Sequence, residues 1–83
     1  MAAVLLVDDD PMVLNGFRRV LSRQGYQVDI AETCQVGLDL ASLIEYDVII
    51  VDKNIAGMDG LDMLEHLRDR HPKAARILLT GES

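Results

Sequence analysis

Four short apolar runs alternate along the chain with stretches in which apolar residues recur every three or four positions. The runs at 3–7, 27–31, 47–51 and 76–80 predict β-strands, since apolar or alternating segments of about five residues are typical of strands. The three stretches between them predict α-helices, because their apolar residues share one helical face. The order β-α-β-α-β-α-β predicts an α/β fold with a parallel sheet and right-handed crossovers.

Polar residues and glycines indicate where the predicted helices begin and end. Asp10 is followed directly by a proline, which is typical of an N-cap and the first helical turn, and Thr33 can cap the second helix. Gly25 is expected just past the first helix, where a left-handed backbone favours glycine. The third helix is expected at about 61–70.

The spacing of apolar residues also predicts which helical side chains face the sheet. His71, near the end of the third helix, is expected to be solvated or to face the helix dipole. The predicted inner-face residues of the second and third helices are Val36, Leu40, Leu43, Ile44, Leu61, Leu64 and Leu67.

Acidic residues directly follow two of the predicted strands. Asp8, Asp9 and Asp10 come after the first strand, and Asp52 comes after the third. Function gathers at the carboxyl ends of the strands in parallel sheets, so we expect these carboxylates to converge there. We interpret Asp10 as a helix cap and the other three as ligands of a hard cation such as Mg2+. Without a cation, their clustering would only cost repulsion.

Composition and charge narrow the possible functions. A chain of 83 residues is one small domain, and its net charge of -6 argues against nucleic acid binding by this segment. Cys34 is the only cysteine, so no internal disulfide is expected, and we interpret it as a small buried hydrophobe in a reducing compartment. No signal peptide or membrane-spanning stretch is evident, and we expect a cytoplasmic protein with no membrane partner.

Three segments together, VLLVDDDP, DVIIVDKNIAGMDG and ILLTGES, resemble the receiver domain of response regulators in two-component signalling. The resemblance covers residues 1–83 and implies a flavodoxin-like, doubly wound parallel sheet with strand order 2-1-3-4. A full receiver continues with another helix, a fifth strand and a last helix. We therefore expect the receiver in residues 1–83 to be incomplete at its C-terminus.

The resemblance also implies a role for each matching residue. Asp52 corresponds to the phosphoacceptor, and Thr80 to the hydroxyl residue that contacts the phosphoryl group. Asp8 and Asp9 correspond to the acidic pair that holds Mg2+, together with Asp52 and the backbone carbonyl of Asn54. The family's lysine on the fifth strand has no counterpart in these 83 residues.

The function implied is a signalling switch, phosphorylated on Asp52 by a sensor histidine kinase or a phosphotransfer protein in a Mg2+-dependent reaction. It would control an output domain in a longer parent, and would take part in its own phosphorylation and dephosphorylation without being a turnover enzyme. One alternative is a truncated or degenerate receiver acting as an interaction module. Another alternative is a phosphatase that forms an aspartyl phosphate. Such enzymes usually carry a second acid two residues past the nucleophile, whereas this chain has Lys53 and Asn54 after Asp52. Self-association through the apolar fourth strand is also expected.

Overall fold

The computed structural model of the chain describes residues 2–55 and 58–79, except for the side chains of residues 54, 58 and 59. Four strands form a parallel sheet with helices on both faces, and a short antiparallel hairpin lies in the segment between the third strand and the last helix. The elements in chain order are β1 (Ala3–Val7), α1 (Pro11–Arg23), β2 (Gln27–Ala31), α2 (Cys34–Leu43), β3 (Val48–Asp52), β4 (Asn54–Ile55), β5 (Met58–Asp59), α3 (Gly60–Arg70) and β6 (Ala75–Leu79).

The strand order of the sheet is β2-β1-β3-β6, which confirms the expected order. All three pairings are parallel, and Val7 at the end of β1 lies opposite both Ala31 of β2 and Val51 of β3. The residues that follow β1 and the last residue of β3 therefore leave the sheet side by side. β4 and β5 were not predicted, because two-residue strands carry no periodicity that a sequence pattern could show.

Alternate residues of the central strands face two separate hydrophobic clusters. Leu5 and Ile49, both 0% exposed, pack on the side of α2 and α3, whereas Val4 and Leu6 pack on the side of α1. Burying a side chain of this size contributes about 1.5–3 kcal/mol to stability. The two clusters hold β1 and β3 in the middle of the sheet, which is where the acidic residues emerge.

The predicted helix boundaries are confirmed by their hydrogen bonds. The Asp10 carboxylate accepts from the backbone N–H of Met12 at 3.0 Å, and Thr33 Oγ1 accepts from Val36 N at 3.1 Å. Gly25 has φ +92°, the left-handed conformation expected just past α1. Both caps satisfy backbone donors that the first helical turn would otherwise leave unpaired.

The predicted inner face of α2 was wrong in part: Leu40 packs against the hydrophobic core, but the other predicted residues are exposed. Leu43 is 82% exposed and Val36 is 45% exposed, whereas the helix buries Cys34, Gly37 and Ala41. Small residues on the inner face let α2 lie close to the sheet: a Cβ on Gly37 would come within 2.9 Å of a Val7 methyl group. Spacing alone favoured the larger apolar residues, because it carries no information about how closely a helix approaches its neighbours.

The predictions for α3 were partly wrong. Leu64 and Leu67 are buried, but Leu61 is 52% exposed, and Met63 takes its place in the core with 0% exposure. Helix α3 buries Gly60, Met63, Leu64 and Leu67, which lie on one helical face.

The expectation that His71 is solvated was wrong. This side chain is buried, and its Nε2–H donates to the backbone carbonyl of Ala41 at 2.7 Å. Ala41 lies in the last turn of α2, where carbonyls have no partner within the helix. His71 therefore satisfies a buried acceptor and joins the end of α3 to the end of α2.

Within the described residues, β6 pairs only with β3 and forms one edge of the sheet. Ile77 on this strand is 45% exposed. Self-association through this edge stays a prediction.

None of the helices in the described ranges has the length and apolar character that a bilayer crossing needs.

A buried tyrosine ties the edge strand β2 to the segment that enters β3. The Tyr46 hydroxyl donates to the Asp29 carboxylate at 2.7 Å, and only 4% of Tyr46 is exposed. Burial, reinforced by the hydrogen bond to Asp29 and by its charge, raises the pKa of Tyr46 far above its usual value of 10. The folded state therefore retains the Tyr46 proton at a pH where the unfolded chain has lost it.

We predict that Tyr46→Phe lowers the free energy of unfolding at pH 7 by roughly 1.5–3 kcal/mol, the range for a hydrogen bond to a charged group. The wild-type advantage is complete below pH 10 and shrinks as the pH rises further, because the unfolded chain then gains stability by ionising. Urea denaturation between pH 7 and 11 measures both effects. Tyr26→Phe is the control, since Tyr26 is 39% exposed, and an equal pH dependence of the two variants would contradict the prediction.

Candidate metal centre

The carboxyl ends of β1 and β3 bring three aspartates together, as the sequence predicted. Asp8 directly follows β1, and its backbone N–H donates to the Ala31 carbonyl at 3.0 Å, which extends the β1–β2 pairing by one residue. Asp52 is the last residue of β3 and lies opposite Leu79 of β6. One carboxylate oxygen from each of Asp8, Asp9 and Asp52 lies within 4.8 Å of the others.

These three oxygens suit a small, hard cation. A Mg2+ ion with ligands at about 2.1 Å holds its octahedral oxygens roughly 3–4 Å apart, so the cluster needs little contraction to accept one. Asp8 is buried, Asp52 is half-buried and Asp9 is exposed. The cluster therefore opens to solvent on the side of Asp9, where a cation could enter and keep part of its water shell.

Without a cation, the surroundings of Asp8 disfavour the ionised form of its carboxyl group. Burial raises the pKa of the Asp8 carboxyl above its ordinary value of 3.8. The hydrogen bond from the backbone N–H of Asp10 to Asp8 Oδ1, at 2.9 Å, opposes that rise, and the charges of Asp52, Asp9 and Asp10 reinforce it. A bound cation would favour the ionised carboxylates and offset both the burial and the repulsion.

Asp10 supports the cluster from outside it, in agreement with its predicted role as a cap. Its carboxylate faces the start of α1 by accepting from Met12 N, while its own N–H donates to Asp8. The helix cap and the orientation of the Asp8 side chain are thus linked through one residue. Within the described residues, the group of three aspartates that could hold a cation does not include Asp10.

Hydrogen bonds hold the backbone beyond Asp52 to β6 on one side and to the start of α3 on the other. Lys53 N–H donates to the Leu79 carbonyl at 2.8 Å, and the Lys53 carbonyl accepts from Gly60 N at 2.9 Å. Asn54 then enters β4, where it lies opposite Asp59. The backbone of Asn54, the predicted carbonyl ligand, is therefore held by its pairing with β5. Thr80, the predicted phosphoryl contact, lies outside the described residues.

Gly60 adjoins the site, and its position there was not predicted. An Asp-Gly pair such as Asp59-Gly60 is typical of turns and helix caps, but the backbone of Gly60 packs directly against the main chain at Asp52 and Lys53. A glycine at the start of a helix, eight residues after a candidate site residue, can indicate that the helix backbone lies against the site. The sequence does not predict this contact by itself, because it does not show how the chain returns to β3.

Comparison with known proteins gives a consistent result. The sequence matches the family described as response regulator receiver domain over residues 4–83. The photosynthetic apparatus regulatory protein RegA of Rhodovulum sulfidophilum is 35% identical over 79 residues, which is 95% of this chain and 43% of RegA. This chain thus spans less than half the length of that relative.

Solved structures share the fold. The response regulator TrrA of Thermotoga maritima, crystallised with Mg(2+)-BeF, has a TM-score of 0.92 at 32% identity and is matched over 100% of this chain and 72% of TrrA. TrrA has also been crystallised in complex with the histidine kinase ThkA. A response regulator from Burkholderia pseudomallei, with a phosphorylated aspartic acid, calcium ion and citrate, has a TM-score of 0.94 at 30% identity, over 100% of this chain and 49% of that protein.

We predict that Asp8→Asn stabilises the protein in metal-free buffer at pH 7. The substitution removes a buried charge that repels two neighbours, and one such pair about 4 Å apart costs on the order of 1 kcal/mol even in water. The melting temperature should rise by roughly 4–8 °C for each kcal/mol in a domain of this size. The advantage should vanish at a pH low enough to protonate Asp8 in the wild type.

Thermal denaturation with a chelator present measures this effect. Asp69→Asn is the matched control, because the Asp69 side chain is 86% exposed and its removal should change stability little. A lower melting temperature for Asp8→Asn than for wild type would show that Asp8 stabilises the metal-free fold instead of burdening it.

Proposed function

This chain belongs to the response regulator receiver domain family, and from that premise we propose that it is a phosphoacceptor switch with Asp52 as the residue that receives the phosphoryl group. The observation that carries the proposal is the convergence of Asp8, Asp9 and Asp52 at the ends of two adjacent parallel strands. A carboxylate beside a cation site is the arrangement that phosphoryl transfer to protein requires.

Each residue of the cluster has a proposed part in the reaction. An Asp52 carboxylate oxygen attacks phosphorus and forms an O–P bond, while the bond from phosphorus to the donor breaks and the donor leaves with its electron pair. Asp8 and Asp9 would hold Mg2+ with Asp52 and the Asn54 carbonyl, and Thr80 would donate its hydroxyl to the phosphoryl oxygens. Mg2+, when bound, supplies the positive charge that lets two anionic groups approach each other.

The oxygen-only ligand set supports Mg2+ as the metal, and the crystallisation of TrrA with Mg(2+)-BeF is consistent with it. We propose a histidine kinase or a phosphotransfer protein as the donor, supported by the complex of TrrA with the histidine kinase ThkA. An output domain in a longer parent is likewise proposed, since this chain matches 43% of RegA. A cytoplasmic location stays a prediction.

The proposed role is that of a switch and not of a turnover enzyme. A degenerate receiver that acts only as an interaction module would take up no phosphoryl group. A phosphatase that passes through an aspartyl phosphate would release phosphate continuously from its substrate. The position two residues beyond Asp52 is Asn54, which supplies no carboxyl group for the second acid that such a phosphatase would need.

We predict that a small acyl-phosphate donor with Mg2+ labels the full-length wild-type protein once, and that Asp52→Asn abolishes the labelling because the nucleophilic carboxylate is gone. Intact-mass measurement gives the stoichiometry directly, and Asp69→Asn should be labelled like wild type. Labelling of Asp52→Asn at the wild-type stoichiometry would show that another residue is the acceptor. Absence of labelling in the wild type would favour the interaction module.

We predict that a fixed Mg2+ concentration raises the melting temperature of Asp9→Asn by at most about half as much as that of the wild type. A ligand at a hundred times its dissociation constant stabilises the folded state by about 2.7 kcal/mol, so the shift should be readily measured. Loss of one carboxylate ligand should raise the Mg2+ dissociation constant roughly tenfold or more. If both proteins respond equally to Mg2+, Asp9 is not a ligand.

A further inference from the structure

Gly60 makes a contact that no other residue type could make. It is the first residue of α3 and is buried against the chain where β3 ends. A Cβ added at this position would collide with the carbonyl oxygen of Asp52, and would lie 2.9 Å from both the Asp52 carbonyl carbon and Lys53 Cα. All three atoms belong to the backbone, so none of them could rotate away.

Gly37 is also closely packed, but a Cβ there would meet side-chain atoms and not backbone atoms. The nearest atom to a Cβ on Gly37 is the terminal methyl group of Met63, at 2.7 Å. A methionine side chain has three rotatable bonds and can move aside. At Gly60, by contrast, relief requires displacement of the peptide that carries Asp52 or of the whole start of α3.

Hydrogen bonds at Lys53 extend this contact to the proposed metal ligands. The Lys53 N–H is held by Leu79 of β6 and its carbonyl is held by Gly60 N, so the peptide groups on both sides of Lys53 are fixed. The next carbonyl along the chain is that of Asn54, which lies opposite Asp59, the residue before Gly60. Gly60 therefore contacts the backbone of Asp52, one proposed ligand, and donates a hydrogen bond to Lys53, the residue before Asn54.

We propose that Gly60 is a positioning residue for the metal centre, and that its lack of a side chain lets the start of α3 hold the Asp52 carboxylate and the Asn54 carbonyl at the spacing Mg2+ needs. The inference rests on the proposed function of this site. Groups that only orient metal ligands typically change metal affinity by roughly 10–100-fold when they are altered. Coupling is reciprocal, so Mg2+ should in turn tighten the contact at Gly60.

The test is the Mg2+ dissociation constant of Gly60→Ala, measured by calorimetric or NMR titration of the purified protein. We expect a roughly 10–100-fold increase over wild type. Gly16→Ala is the matched control, because nothing lies within 4 Å of a Cβ there, and it should bind Mg2+ like wild type. The Mg2+ concentration for half-maximal labelling of Asp52 should rise in Gly60→Ala, while the extent of labelling at saturating Mg2+ recovers.

A loss of folding in Gly60→Ala is distinguished in two ways. The double variant Gly16→Ala with Gly60→Ala regains stability, because alanine is a better helix former than glycine, and its Mg2+ affinity should stay weak. In the wild type, Mg2+ should slow hydrogen exchange at the Gly60 amide. Exchange at the Gly25 amide should not change, since this amide lies past the end of α1 and donates to the Ser22 carbonyl.

Equal Mg2+ affinities of wild type and Gly60→Ala, or Gly60 exchange that does not respond to Mg2+, would overturn the positioning role alone. A wild type that binds Mg2+ but takes up no phosphoryl group would overturn the phosphoacceptor role and leave the positioning role intact. A wild type that binds no Mg2+ would overturn both.

Discussion

The parallel pairing of β1 with β3 is the constraint on which the rest of the structure depends. Val7 lies opposite Val51, so the chain places Asp8 and Asp52 side by side as it leaves the two strands. Both strands are packed on both faces, and a shift of one residue would send every side chain to the opposite hydrophobic cluster. The same packing that stabilises the sheet therefore also fixes the register of the two carboxylates.

This register has an electrostatic cost in the absence of a cation. Three carboxylates converge, and the most buried of them, Asp8, has a raised pKa because burial and its neighbours disfavour the charge. The helix cap at Asp10 and the two hydrophobic clusters supply the stability that holds the acids together. Sites of this kind trade folding stability for binding capacity, as functional sites commonly do.

The hairpin after β3 makes the acidic cluster part of a larger backbone network. Lys53 bonds to Leu79 on one side and to Gly60 on the other, so strand β6 and helix α3 both hold the chain immediately after Asp52. Such contacts between main-chain atoms leave little freedom for adjustment. Main-chain contacts therefore join the end of β3 directly to the start of α3.

The sequence by itself determined the succession of strands and helices, the helix caps and the acidic residues at the strand ends, whereas the strand order in the sheet was implied by the resemblance to receiver domains. Apolar runs, a cap at Asp10 and acids directly after strands are local patterns whose physical meaning does not depend on distant residues. Only the tertiary structure decided which face of α2 is buried, because the close approach at Gly37 excludes larger residues there. It also decided that His71 is buried against Ala41 and that Gly60 touches Asp52. Each of these features is set by the distance between elements far apart in the chain, and residue spacing carries no record of that distance.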